Sequence, residues 1–231
     1  MQRFKFWLMR KGGYRVARPF VKNMAKLVGF VQFADWMHGH GKVDYNDFPT
    51  KKDYTLRFGL FDYVVKRLGD QPINYMEFGV FDGETFHRWM QQQSHADSRF
   101  YGFDTFDGLP EEWSGNAVGA FTQHGRVPAL RDSRGRFIQG FFQDTFGPFL
   151  KTFEDNRPKV ILLDADLYSS TLFVLTSLAP LLRKGDILIF DEFSSKLHEF
   201  RAYNDFLKAY TWLSPKLIAA ANNYTCAAFE V

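Results

Sequence analysis

The sequence has a single cysteine, Cys226, so no disulfide within the chain holds it together. No apolar run reaches the roughly 18 residues that a transmembrane helix needs. The N-terminus lacks a continuous apolar core with a small-residue cleavage site, so no secretory leader is expected. There is no cluster of His and Cys, which removes a zinc site of the usual ligand set. A net charge of only +3 over 231 residues excludes a chain built as a whole to bind polyanions, and nucleic acid is not an expected partner. A cytoplasmic protein is the expectation. With 45% hydrophobic residues the length suits one α/β domain with a sizeable core. Neither an internal repeat nor a low-complexity segment is present.

Acid is also missing locally. Residues 1–30 contain no Asp or Glu but eight Lys or Arg. Phe4, Phe6, Trp7, Leu8, Phe20 and Phe30 are interleaved with them. Such a segment either docks on its own domain with its basic face in water, or meets an anionic membrane, a partner or a phosphorylated substrate. Residues 1–53 are therefore set apart as a basic, aromatic, helical N-terminal extension. Peripheral membrane contact through residues 1–30 and burial against a second copy are its candidate roles.

From residue 54 the pattern changes. Apolar residues at helical spacing predict a helix over about 54–68. Strand and helix patterns then alternate. "INYMEFG", "RFYGFD", "RFIQGFF", "KVILLDAD" and "DILIFDEF" read as strands. "GETFHRWMQQQ", "FGPFLKTF", "STLFVLTSLAPLL" and "HEFRAYNDFLKAY" read as helices. "KLIAAA" and "YTCAAFEV" predict a closing hairpin around Asn222 and Asn223. The continuous apolar runs of the middle strands argue for a mostly parallel sheet covered on both faces. In such sheets ligands sit beyond the carboxyl ends of the strands.

Four of those ends carry acid: Glu77, Asp104, Asp164 with Asp166, and Asp191 with Glu192. Gly79 and Gly83 follow the first of them, where glycine allows a sharp turn and close approach to a ligand. The collar of Glu77, Asp82 and Glu84 would repel a phosphate. Asp104, ending the next strand, stands where a ribose hydroxyl pair is usually held. Together these residues suit a nucleoside with a cationic or zwitterionic tail, such as S-adenosylmethionine. Asp164 and Asp166 share a side if the strand extends that far. Three or four carboxylates near one point repel one another, and a hard divalent cation, Mg²⁺, Mn²⁺ or Ca²⁺, relieves that repulsion.

In order and spacing, "EFGVFDGET", "FYGFDTFDGLPEEW", "FFQDT", "LLDADLYSST" and "LLRKGDILIFDEF" resemble the macrocin/novobiocin-type O-methyltransferases, over about residues 54–231. The resemblance implies a seven-stranded Rossmann-like sheet, mostly parallel, with helices on both faces and a reversed last strand. It implies that Glu77, Gly79 and Gly83, with Phe81 and Thr85, line the methionine part of S-adenosylmethionine. It implies that Asp104, with Thr105, holds the ribose, and that Gln143 or Asp144 lies near the adenine. Asp164 would adjoin the cofactor and, with Asp191 and Glu192, hold the metal. The implied reaction moves a methyl group to a hydroxyl of a small molecule, a sugar or natural-product moiety. Asp166, Asp164 and His198 are the candidates for the base. The long loop "FDGLPEEWSGNAVGAFTQHG" is a candidate lid, with Trp113, Phe121 and His124 toward the acceptor. Basic "GRVPALRDSRGR" follows it. Two rivals use the same residues: a non-catalytic S-adenosylmethionine-binding protein, and a glycosyltransferase that uses "DAD" to hold a metal and a nucleotide sugar.

Overall fold

A computed structural model of the chain describes residues 2–12, 14–40, 43 and 45–231. It divides into two compact units after His40. The first consists of helices α1 (Gln2–Arg10) and α2 (Tyr14–Gly39), as the helical reading of the extension expects.

The second unit is built on one sheet. Its strands are β1 (Tyr45–Asp47), β2 (Asn74–Phe78), β3 (Arg99–Asp104), β4 (Gly135–Gln139), β5 (Lys159–Leu163), β6 (Ile187–Phe190), β7 (Lys216–Ala221) and β8 (Cys226–Glu230). They lie in the order β1-β7-β8-β6-β5-β2-β3-β4. All neighbours are parallel except β8, which runs antiparallel to both β6 and β7. The reversed last strand is thus present. It enters through a tight turn in which Asn222, Asn223 and Tyr224 all have positive φ, a conformation that asparagine tolerates better than most residues.

The sheet has eight strands rather than seven, and its unit begins earlier than residue 54. The extra strand β1 pairs parallel with β7 at the sheet edge. Three residues carry no alternation signal, so the polar stretch around them reads as irregular. Hydrogen bonds to the hairpin turn fix the segment instead. Asp53 N–H donates to Asn222 Oδ1 at 2.9 Å, and Asn223 Nδ2 donates to the Pro49 carbonyl at 2.9 Å.

Helices cover both faces. On one, α3 (Arg57–Leu68) and α4 (Glu84–Gln92) bury Leu60, Phe61, Phe86 and Trp89 against Tyr75, Phe100 and Ile189. On the other lie α5 (Phe142–Leu150), α6 (Tyr168–Leu178) and α7 (Glu199–Ala209). There Phe78 and Phe103 meet Phe146, and Phe190 meets Tyr203. The side chains of β2 and β5 are buried throughout, which is what a central parallel strand requires.

At the far end of the sheet from the acidic strand ends, Lys159 is fully buried. Its Nζ reaches Asp155 Oδ1 at 2.7 Å and Asp186 Oδ2 at 3.0 Å. Asp186 also accepts the backbone N–H groups of Lys159 and Arg183, each at 2.8 Å. Removing one member leaves a buried charge short of a partner, which costs about 3 kcal/mol or more. Asp186→Ala should lower stability in urea denaturation by that amount; a loss below about 1 kcal/mol, the value of an ordinary surface change, would show the pair to be dispensable.

Candidate active site

The carboxyl ends of β2, β3 and β5 open into a cavity of about 270 Å³. Gly79, Asp104, Thr105, Gln143 and Asp164 line it, with Asp166, Phe141 and Phe142. Five of the residues expected at a cofactor therefore line the same cavity. The long loop after β3 supplies the opposite side through Leu109, Pro110, Glu111 and Phe121. It is pinned to α6 by Ser169 Oγ, which donates to Glu111 Oε1 at 2.6 Å. Trp113 packs on Phe121 rather than lining the cavity, and His124 is exposed away from it.

Gly79 is required by the sheet as much as by any ligand. Its φ is +96°, and a Cβ built there would stand 1.9 Å from the Asp164 carbonyl oxygen. Gly83, with φ +83°, caps α4 in the left-handed conformation and does not reach the cavity. Phe81 also has a positive φ and is exposed. Its N–H and that of Val80 donate to Asp104 Oδ2 at 2.9 and 2.7 Å, while Phe106 N–H donates to Oδ1 at 2.7 Å. Asp104 thus ties two loops together and keeps one lone-pair direction of its four for a ligand.

Glu77 differs from expectation. It is fully buried beneath the loop and does not line the cavity. Thr85 Oγ1 donates to its Oε1 and Tyr75 OH to its Oε2, both at 2.5 Å. Burial pushes its carboxyl up to about 8, although both hydroxyls pull the other way. The two hydroxyls tie Glu77 to β2 through Tyr75 and to the first turn of α4 through Thr85. Asp144, in the first turn of α5, is exposed and off the cavity, so of the adenine pair only Gln143 lines it.

Asp164 and Asp166 both reach the cavity, but not by strand alternation. The strand ends at Leu163, and Asp166 sits in a turn with φ +59°. Asp191 and Glu192 follow the end of β6 and are buried. Burial, then the charges of Asp191 and Asp166, push Asp164 well above the usual carboxylate range. Burial, with Glu192 and Asp191, raises Asp166 to about 7. The acids therefore share one field.

Three members of this cluster escaped the sequence reading. Glu199, at the start of α7, is fully buried and accepts the Glu192 N–H at 3.0 Å. Arg57, at the start of α3, donates to Asp191 Oδ2 at 3.0 Å and approaches Glu84 at 3.6 Å. Lys52 reaches Glu192 Oε1 at 3.4 Å. Arg57 had one available signal, a charge at the head of a helix whose first turn is otherwise apolar. Asp191 Oδ1 and Glu199 Oε1 are buried without a hydrogen-bond partner, as acids awaiting a further cation would be. Among the described residues, however, no three His, Cys, Asp or Glu side chains lie close enough to hold an ion as they stand.

His198 caps α7, half-buried and outside the cavity lining. Burial lowers its pKa, opposed by the charge of Glu111. The basic stretch after the lid is structural in part: Arg134 donates to the carbonyls of Met90, Gln93 and His95 and pairs with Asp132.

A curated protein of Streptomyces olivaceus, 8-demethyl-8-(2,3-dimethoxy-alpha-L-rhamnosyl)-tetracenomycin-C 4'-O-methyltransferase, is 30% identical over 156 residues, which is 56% of this chain. The chain spans only 58% of that relative's length. The fold is that of the O-methyltransferase NovP (TM-score 0.59, 22% identity, 75% of this chain and 78% of that one). It is equally that of CalS11, a calicheamicin methyltransferase (TM-score 0.60, 21% identity, 78% and 80%). The family model described as a methyltransferase domain matches residues 76–193, from the middle of β2 to just past Glu192. With about half of its length in that match, this chain belongs to the methyltransferase-domain family.

Proposed function

We propose that the chain transfers the methyl group of S-adenosylmethionine to a hydroxyl of a small glycoside or related natural product. The observation that carries this reading is one cavity, at the carboxyl ends of parallel strands, in which Asp104 and Gln143 face the acidic end of β5. The wall suits a nucleoside: the one free acceptor direction of Asp104 for a ribose hydroxyl, an amide for a base edge, and Phe141 and Phe142 for its ring. Gly79 leaves the floor without a side chain. The sugar acceptor is inferred from the relative's name, and from a lid that offers Phe121 and Pro110 beside Glu111 and Ser169, apolar and polar together.

The residues present divide the work. Asp104 and Gln143 orient the nucleoside, and the lid excludes water. Asp166, a carboxyl of raised pKa on the cavity wall, takes the acceptor proton; Asp164 and His198 are the other two candidates. Most of the acceleration comes from holding the acceptor oxygen in line with the methyl group. Asp164, Asp191 and Glu192 would hold a divalent cation, whose chemistry when bound is to lower the pKa of a hydroxyl and fix its position. The unpartnered Asp191 Oδ1 supports that assignment. Arg57 pairs with Asp191 and Lys52 with Glu192.

Two predictions follow from this division. Calorimetry with S-adenosylhomocysteine should show micromolar binding, weakened at least about tenfold in Asp104→Asn, since a charge-assisted bond to a hydroxyl is worth about 1.5–3 kcal/mol. Absence of binding to the unaltered protein removes the cofactor reading. Secondly, Arg57→Gln should raise the affinity for Mg²⁺, titrated alone, by about tenfold, the size of a one-unit electrostatic effect. Asp191→Ala should abolish that binding. If neither protein binds Mg²⁺, the three carboxylates are not a metal site.

A further inference from the structure

The first unit presents an unusual surface. In α2, Phe20, Met24, Leu27, Val28 and Val31 recur at i, i+4, i+7, i+8 and i+11, the spacing of one helical stripe. A stripe of this kind normally faces a core. Here all five side chains are exposed, at 61%, 62%, 64%, 53% and 48%. Arg15, Arg18 and Lys26 recur at i, i+3 and i+11 on the opposite side of the same helix, and they too are exposed. Helix α1 adds exposed Phe4 and Trp7, stacked at 6.1 Å, between Arg3, Lys5 and Arg10. The first acid of the chain is Asp35. No helix among the described residues is long and apolar enough to cross a membrane.

We infer that α1 and α2 bind the surface of an anionic lipid bilayer, with the Phe20–Val31 stripe inserted at the level of the headgroups. Two features select this occupant. The stripe is continuous over about three helical turns, and the charged residues beside it, up to Asp35 beyond its C-terminal end, are all basic, which is the composition of helices that lie in a charged interface. A protein partner would gain nothing specific from so uniform a charge, whereas each Lys or Arg near an anionic membrane surface contributes about 1 kcal/mol. Phe4 and Trp7 add aromatic rings, which favour the same depth. The inference is independent of the chemistry in the second unit. It places that chemistry beside a membrane, where a lipid-borne acceptor would be at high local concentration.

The test is flotation of the full chain with vesicles of phosphatidylglycerol and phosphatidylcholine, compared with phosphatidylcholine alone. The expected result is binding to the anionic vesicles, little to the neutral ones, and release at high salt. Met24→Glu with Leu27→Glu should lower the partition coefficient roughly tenfold or more, because two apolar side chains no longer leave water. Arg15→Glu with Arg18→Glu should do the same. An unchanged thermal melt and unchanged S-adenosylhomocysteine affinity would show that the second unit is intact in each variant. Equal binding to neutral vesicles overturns the choice of an anionic surface. No binding to any vesicle overturns the inference outright. If sedimentation then shows a dimer that Met24→Glu with Leu27→Glu splits, the stripe is an interface between two copies.

Discussion

Buried negative charge is the constraint on which the rest of this structure depends. Asp164, Asp191, Glu192 and Glu199 stand at or just beyond the ends of β5 and β6, with Asp166 one turn away. So many carboxyl groups out of water cannot all ionise without cations. Arg57 pairs with Asp191 and Lys52 with Glu192, both from the segment that precedes the first central strand. That segment is held in place by a small edge strand and by the Asn222–Asn223 turn. The edge of the sheet thus serves the centre: β1 and the loop after it bring positive charge to the acids.

The same arrangement explains why the acids need not act alike. Glu192 and Asp191 each face a basic side chain. Among the described residues Asp166 has no ion-pair partner; it lies on the cavity wall, and its pKa, raised to about 7, leaves it able to exchange a proton near neutrality. Glu77 is further back, off the cavity wall, its carboxyl raised by burial and bonded by two hydroxyls. Position relative to the cavity and to Arg57 sorts the carboxyl groups into roles.

Much of this was legible in the sequence. Apolar runs ending in acid located β2, β3, β5 and β6, and the Asn-Asn pair located the last hairpin. What periodicity does not encode is which way a side chain turns after its strand has ended. Asp166 reaches the cavity through a left-handed turn and Glu77 is pulled beneath it by Tyr75 and Thr85; neither follows from alternation. β1 is too short to carry a pattern, and its pairing partner lies at the other end of the chain. Arg57 sat in plain view in "YTLRFGLF", but its importance comes from a contact with a residue more than a hundred positions away. Gly79 was read as room for a ligand, and the structure adds a second reason, the carbonyl of Asp164.

A structure of the chain crystallised with S-adenosylhomocysteine tests the central claim most directly. The account predicts the ribose on Asp104, the adenine against Gln143 and Phe142, and the thioether end over Gly79 toward Asp164 and Asp166. A nucleoside bound elsewhere, or one whose sulfur points away from the acids of β5, would contradict it.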